Sequence, residues 1–273
     1  MKKRIVCLTL ALLMSATQVV SVSASREDEL REEQAITSQQ LDATYSRMDE
    51  LAYAKSQLEN EISELDSNLV SVMVSIDTLK GDIDMAGIIG PTAGKVEAYV
   101  KKNPKALDMG VLNTVVPWAM ATMEYSSAMG VVLCAPTGGS AGVFPGSVLG
   151  TATHLGFGLE EKVKAMFVTS IIGIVMSKDC NYSAELYGCQ VEPGAASGMA
   201  AGGLVYLMGG TPEQSCMAAS CAVQNILGTI CDPVAGLVQI PCINRNAMSA
   251  ANAVVCANMV MGGFDPLIPL DQT

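Results

Sequence analysis

The chain has 273 residues, half of them hydrophobic but only 4% aromatic, and a formal net charge of −11. That length allows one or two domains with a sizeable core, and the Gly, Ala, Met and Ser that fill its apolar stretches suit closely packed helices better than a β-sandwich. No basic patch marks a nucleic-acid surface, and of nine cysteines the eight beyond the N-terminal leader lie in apolar surroundings, which in a cytosolic protein reads as buried thiols plus a metal site rather than a small disulfide scaffold.

Residues 1–24 have the order of a secretory signal. Lys2, Lys3 and Arg4 precede an apolar run from Ile5 to about Met14, and Ser21-Val22-Ser23-Ala24 supplies small residues for cleavage. A heptad segment follows over 25–84. Met48, Leu51, Lys55, Leu58, Ile62, Leu65, Leu69, Val72, Ile76, Leu79 and Ile83 alternate by three and four, the seam of a coiled coil with one charged intrusion. Between Arg26 and Asp84 fifteen acidic residues stand against five basic ones, compared with twelve and eight from Met85 onward. Most of the negative charge therefore belongs to this segment, which resembles the leader and coiled coil of exported cell-wall hydrolases.

Near Met85 the character changes, and Gly81, Gly87 and Gly90-Pro91 predict a boundary. From there the sequence reads as helices joined by Gly- and Pro-rich loops, an all-α fold. A helix is expected over Leu159–Met176, with Glu160 and Glu161 complementing the dipole of its first turn. Thr211-Pro212-Glu213-Gln214 is a helix start with N-cap, first-position proline and capping-box glutamine; that helix is expected to reach Leu227 and stop at Gly228. Pro193–Pro212 carries no charge, yet it has too many glycines and too little Leu or Ile for a membrane span.

Two features point to chemistry. Ala135-Pro136-Thr137-Gly138-Gly139-Ser140-Ala141-Gly142-Val143-Phe144-Pro145-Gly146 offers backbone N–H groups and hydroxyls that can hold a carboxylate; it also reads as a tight turn between helices. Cys189, Cys231 and Cys242 each lie beside Gly or Pro, where backbone can bend close to a bound group. Three thiolates are what an iron–sulfur cluster with one open iron requires, although buried free cysteine is common. Cys134, Cys180, Cys216, Cys221 and Cys256 are expected to be packed thiols, and His154, the sole histidine, an ordinary helix-end residue.

With these motifs, residues 85–273 closely resemble the α subunit of bacterial iron–sulfur-dependent L-serine dehydratase. The matching segments are Ala135 to Gly146, Gly188-Cys189-Gln190, Gly209 to Gln214, and Cys231 to Asn246, with Glu124 and Met129-Gly130 in support. The chain departs from the family pattern at Ala86–Pro91, at Glu124-Tyr125-Ser126 and at Ala184–Tyr187. The resemblance implies a helical catalytic domain over 85–273, C-terminally truncated, that lacks the family's β part and needs a β subunit in a hetero- or homo-oligomer.

It further implies loss of water and then ammonia from L-serine to give pyruvate. The cofactor is a 4Fe-4S cluster on Cys189, Cys231 and Cys242, with no pyridoxal phosphate. Thr137, Gly139, Ser140, Ala141, Arg245 and Asn246 become candidates for holding the substrate, and Lys178, which matches a family lysine, the catalytic candidate. The catalytic part is expected in the cytoplasm, whereas the signal-like segment predicts export into an oxidising compartment where such thiols pair. The sequence thus reads as a chimera of an envelope-protein leader and an enzyme. The alternative is an exported coiled-coil envelope protein carrying an inactive dehydratase-like remnant.

Overall fold

The computed structural model describes residues 88–273 and, ahead of them, residues 26, 30, 31, 34–53, 55, 56 and 60. The signal-like segment 1–24, the boundary at Met85 and most of the heptad positions lie outside the described residues. Those heptad positions that are described, Met48, Leu51 and Lys55, are helical and exposed. The chain divides into a unit over 1–63 and a unit over 64–273, and the site lies in the second.

Every regular element among the described residues is helical, as the composition predicts. From residue 88 onward they are, in chain order, α1 (Ala93–Lys102), α2 (Leu112–Ser127), a π-helical turn (Pro145–Leu149) running into α3 (Gly150–His154), α4 (Leu159–Met176), the single turn α5 (Ala184–Tyr187), α6 (Pro193–Leu207), α7 (Pro212–Gln224) and α8 (Gln239–Met261), with 3-10 turns at Gly138–Ser140, Cys189–Val191 and Leu270–Gln272. The only β-type pairing among them is an isolated bridge between Val234 and Leu237.

The apolar, glycine-rich α6 forms the centre, with α4, α7 and α8 packed around it and α2 lying against α8. Its sequence, PGAASGMAAGGLVYL, is buried at every position except Tyr206. Small residues serve this packing directly. A Cβ on Gly198 would lie 3.1 Å from the Ala219 carbonyl of α7, and one on Gly202 would meet Ile172 of α4. Helix axes come this close only where side chains are nearly absent, so the stretch is a protein-core helix. No helix among the described residues is long and apolar enough to cross a membrane.

Local signals set several boundaries. α4 spans the expected residues, with Glu160 and Glu161 in its first turn. The Thr211 hydroxyl accepts from Gln214 N at 3.2 Å, and Gln214 Oε1 accepts from Thr211 N at 2.9 Å, a reciprocal cap whose Thr contributes about 1 kcal/mol. α7 ends at Gln224, three residues before the expected Leu227, because the chain tightens into turns that Gly228 closes at φ +87°. The expectation of packed thiols holds for Cys221 and Cys256, which are buried, but not for Cys134 and Cys216, which are exposed. Cys134 lies on an exposed approach to the glycine loop, and Cys216 faces outward from α7. His154 sits in the last turn of α3, exposed, with Nδ1 3.3 Å from the Thr114 hydroxyl.

Candidate functional site

The three cysteines come from three segments. Cys189 opens a 3-10 turn between α5 and α6. Ahead of it, Gly188 adopts φ +79° and ψ −175°, a conformation nearly restricted to glycine. A Cβ there would lie 2.7 Å from the Thr229 carbonyl oxygen and 3.0 Å from Ile230 Cα. Glycine therefore lets the Cys189 segment lie directly on the strand of chain leading to Cys231. Gln190 secures that contact: its N–H donates to Thr229 O at 3.1 Å, its side-chain oxygen accepts from Gly228 N at 2.8 Å, and its amide donates to Tyr187 O at 2.9 Å.

Cys242 lies in the first turn of α8, buried among Met123, Ala141 and Ile243, with Ile89 packed against them. Glu124, itself fully buried, holds the segment that carries Ile89. Its carboxylate accepts from Thr92 N at 2.7 Å, from the Thr92 hydroxyl at 2.8 Å and from Ala93 N at 3.0 Å, which caps α1.

Arg245 joins the thiol segments. Its guanidinium donates to Cys189 Sγ at 2.9 Å and to the Ile230 carbonyl, and pairs with Asp232 at 2.6 Å. It thus grips the residues on either side of Cys231 while touching Cys189. Burial, followed by the neighbouring Cys189, Glu192 and Cys231, pushes the Cys242 thiol up to about 12. Burial also raises Cys189, with Arg245 opposing and Cys231 and Glu192 adding to the shift. Cys189 and Cys242, both buried, therefore lie within electrostatic reach of Cys231, which stands on an exposed loop. Among the described residues no group of three or more His, Cys, Asp or Glu side chains is placed, as it stands, to hold a metal ion. In donor chemistry the set is soft sulfur, which suits an iron–sulfur cluster, with an arginine placed to donate to a thiolate.

The glycine loop meets this group from the other side. Thr137 and Ser140 close a small capping box, with Thr137 N donating to Ser140 Oγ at 3.2 Å and the two hydroxyls 3.0 Å apart. Ser140 and Ala141 are consequently buried, and Thr137, Gly138 and Gly139 are among the residues the loop leaves partly open. Its glycines divide by task. A Cβ on Gly142 would fall 2.4 Å from the Ala119 carbonyl of α2, and one on Gly146 would fall 2.7 Å from Ala119 Cβ, whereas Gly138 faces open space.

Asn246 is fully buried and binds the loop to α8. Its Oδ1 accepts from Gly142 N at 2.9 Å, and its Nδ2 donates to Gly139 O and Cys242 O, each at 2.7 Å. The side chain read from sequence as a substrate contact is thus engaged with the protein on both ends, holding the loop against the Cys242 turn.

Between loop and thiols lies Glu192, the residue before α6. A Cβ on Gly139 would be 2.8 Å from Glu192 Oε2, and the Thr137 side chain lies close enough to the same carboxylate to lower its pKa. Burial raises the Glu192 pKa, Thr137 opposes the shift, and Glu185 adds to it. Sequence reasoning assigned no role to Glu192, Gln190 or Asp232; their signal was position alone, inside the segments that carry Cys189 and Cys231. Of the sequence candidates, Cys189, Cys231, Cys242, Arg245, Asn246, Thr137 and Gly139 are brought into one neighbourhood, with Ser140 and Ala141 behind the loop. Lys178 is exposed in the turn after α4, and no hydrogen bond or ion pair ties it to these residues.

Residues 15–273 match the family model described as serine dehydratase alpha chain. The match begins inside the segment read as a leader and runs through the heptads. The chain is 38% identical over 224 residues to the probable L-serine dehydratase, alpha chain, of Bacillus subtilis, covering 82% of this chain and 74% of that one. It is 41% identical over 155 residues to the L-serine dehydratase, alpha chain, of Peptoniphilus asaccharolyticus, covering 56% and 53%. With the L-serine dehydratase of Streptomyces coelicolor the figures are 39% over 187 residues, covering 68% and 40%. The matched part is thus three-quarters of the first relative but well under half of the last.

Proposed function

The chain belongs to the serine dehydratase alpha chain family, and from that premise we propose that it is the α subunit of an L-serine dehydratase, working with a β subunit. Its reaction eliminates water from L-serine to give 2-aminoacrylate, whose imine tautomer is then hydrolysed, taking up water and releasing ammonia, to leave pyruvate. One observation carries the reading: the thiols of Cys189, Cys231 and Cys242 share one neighbourhood with an arginine, a half-buried glutamate and a partly open glycine loop.

Cys189, Cys231 and Cys242 would hold a 4Fe-4S cluster, which supplies a Lewis-acidic iron that makes the substrate hydroxyl a better leaving group without pyridoxal phosphate. The chain's own residues do the rest. Thr137 and the leading N–H groups of the 3-10 turn at Gly138 and Gly139, which have no partner within that turn, receive the substrate carboxylate. Asn246 keeps them at a constant distance from the Cys242 turn. Arg245 neutralises charge at Cys189 and tethers the loop that bears Cys231. The expected location of this work is the cytoplasm, where thiols stay reduced.

The test is anaerobic expression of the full chain with a β subunit, followed by pyruvate release from L-serine and, in parallel, from L-threonine. A brown protein that loses colour and activity in air is expected. A colourless protein that makes no pyruvate under strict anaerobiosis would sink the proposal. Colour that persists after Cys189→Ala, Cys231→Ala and Cys242→Ala would overturn the ligand assignment.

A further inference from the structure

We propose that Glu192 is the residue that recognises the substrate's α-ammonium group, which makes the site selective for amino acids over the corresponding hydroxy acids. The inference rests on the dehydratase reading and refines it.

Glu192 stands where the two halves of the site meet. On one side its carboxylate lies against Gly139 and the Thr137 side chain, the part of the loop assigned to the substrate carboxylate. On the other it is near enough to influence both Cys189 and Cys242. In an amino acid the ammonium and the carboxylate sit on the same carbon. A protein group that borders the carboxylate cradle therefore borders the ammonium too.

The charges around it single out this residue. Arg245, the cation of the site, is engaged with Asp232, Cys189 and the Ile230 carbonyl. Asp232 is neutralised by that pair. Glu185 is exposed and bonded to Ser183, and the Glu124 carboxylate is filled by Thr92 and Ala93. Glu192 has no ion-pair partner among the described residues. A half-buried carboxylate without a cation is unfavourable by itself, and a zwitterionic substrate brings the missing positive charge. The loop at Gly138 and Gly139 then receives the substrate's own carboxylate, which keeps the two anions on opposite sides of the ammonium.

The experiment uses the full chain assembled anaerobically with its β subunit. It compares L-serine with L-glycerate, which has a hydroxyl in place of the ammonium. For Glu192→Gln, KM for L-serine is expected to rise at least tenfold, with a smaller change in kcat, while the inhibition constant of L-glycerate stays the same or falls. Glu192→Asp, which keeps the charge but retracts it, should show a smaller rise in KM. Equal weakening of both ligands, or an unchanged KM for L-serine, would overturn the assignment. So would loss of helical structure in both variants, which would make Glu192 a structural residue. A wild-type complex that makes no pyruvate from L-serine defeats the dehydratase reading itself. That result is distinct from a working enzyme whose two ligands respond alike.

Discussion

Two groups of cysteines in this protein share the same chemistry and differ in everything around them. Cys221 and Cys256 lie between α7 and α8, both buried, and burial followed by the neighbouring Cys221 pushes Cys256 up to about 12. Cys242 is pushed as far, also by burial first. Around Cys256 is a closed amide network: Asn225 donates to its sulfur at 3.2 Å and to Asn252 Oδ1 at 2.8 Å, and Asn252 donates to Ser197 Oγ and Ala222 O, each at 2.9 Å. That network ties α6, α7 and α8 together and carries no ionised group. Around Cys242 are two other thiols, an arginine, a carboxylate and a loop with an open glycine. Burial and a raised thiol pKa are therefore common to both groups. Convergence with charged groups and an open backbone is what sets Cys242 apart.

The sharpest way to break this comparison is to delete one thiol from each group. Cys242→Ala should abolish both cluster colour and pyruvate formation, a loss of at least about a thousandfold where an essential catalytic group is removed. Cys256→Ala should keep both and lower stability by about 1–2 kcal/mol, as a buried truncation does. Visible absorbance and chemical denaturation of the two variants separate these outcomes, and loss of colour from Cys256→Ala would erase the distinction.

Next in size is the backbone contact between the Cys189 and Cys231 segments. Gly188→Ala forces a Cβ against the Thr229 carbonyl in a glycine-only conformation and should remove about 3 kcal/mol or more locally, with loss of cluster assembly. Gly228→Ala, at φ +87° but facing open space, should lower stability by only about 1–2 kcal/mol and leave the colour intact. Equal effects at both sites would mean that the Gly188 contact does not position Cys189.

Asn246→Ala sharpens the role of the loop. It strands the buried Gly142 N–H and two carbonyls, and should destabilise by about 2–3 kcal/mol while raising KM for L-serine; thermal melting and steady-state kinetics read the two effects. The smallest effect is expected from Arg245→Lys. The charge stays, but one ammonium cannot reach Cys189, Ile230 and Asp232 together, so kcat/KM should fall by about five- to tenfold as fork geometry is lost. A Lys variant as inactive as Cys242→Ala would assign Arg245 a direct part in the reaction.

Some of this was legible before folding. The helix over Leu159–Met176 and the cap at Thr211 rest on contacts within one turn, so the residues that cause them are adjacent in sequence. The end of α7 was harder to read, because Gly228 closes the turns that follow the helix, four residues beyond Gln224. Thr137 and Ser140 read as two hydroxyls open to a ligand, yet their three-residue spacing lets them close on each other. Lys178 was chosen by resemblance, and the fold leaves it exposed without a bond to the site.

The sequence by itself determined the helical class, the local caps, the glycine loop and the three cysteines, because composition and short-range spacing suffice for those. Tertiary structure alone decided which of these residues meet. Arg245 reaches Cys189 across 56 positions, and Asn246 reaches Gly142 across 104. Only packing of α8 against α2 and α6 closes those distances. The same packing brings Glu192 between thiols and loop, a residue whose identity was visible from the start but whose neighbours were not.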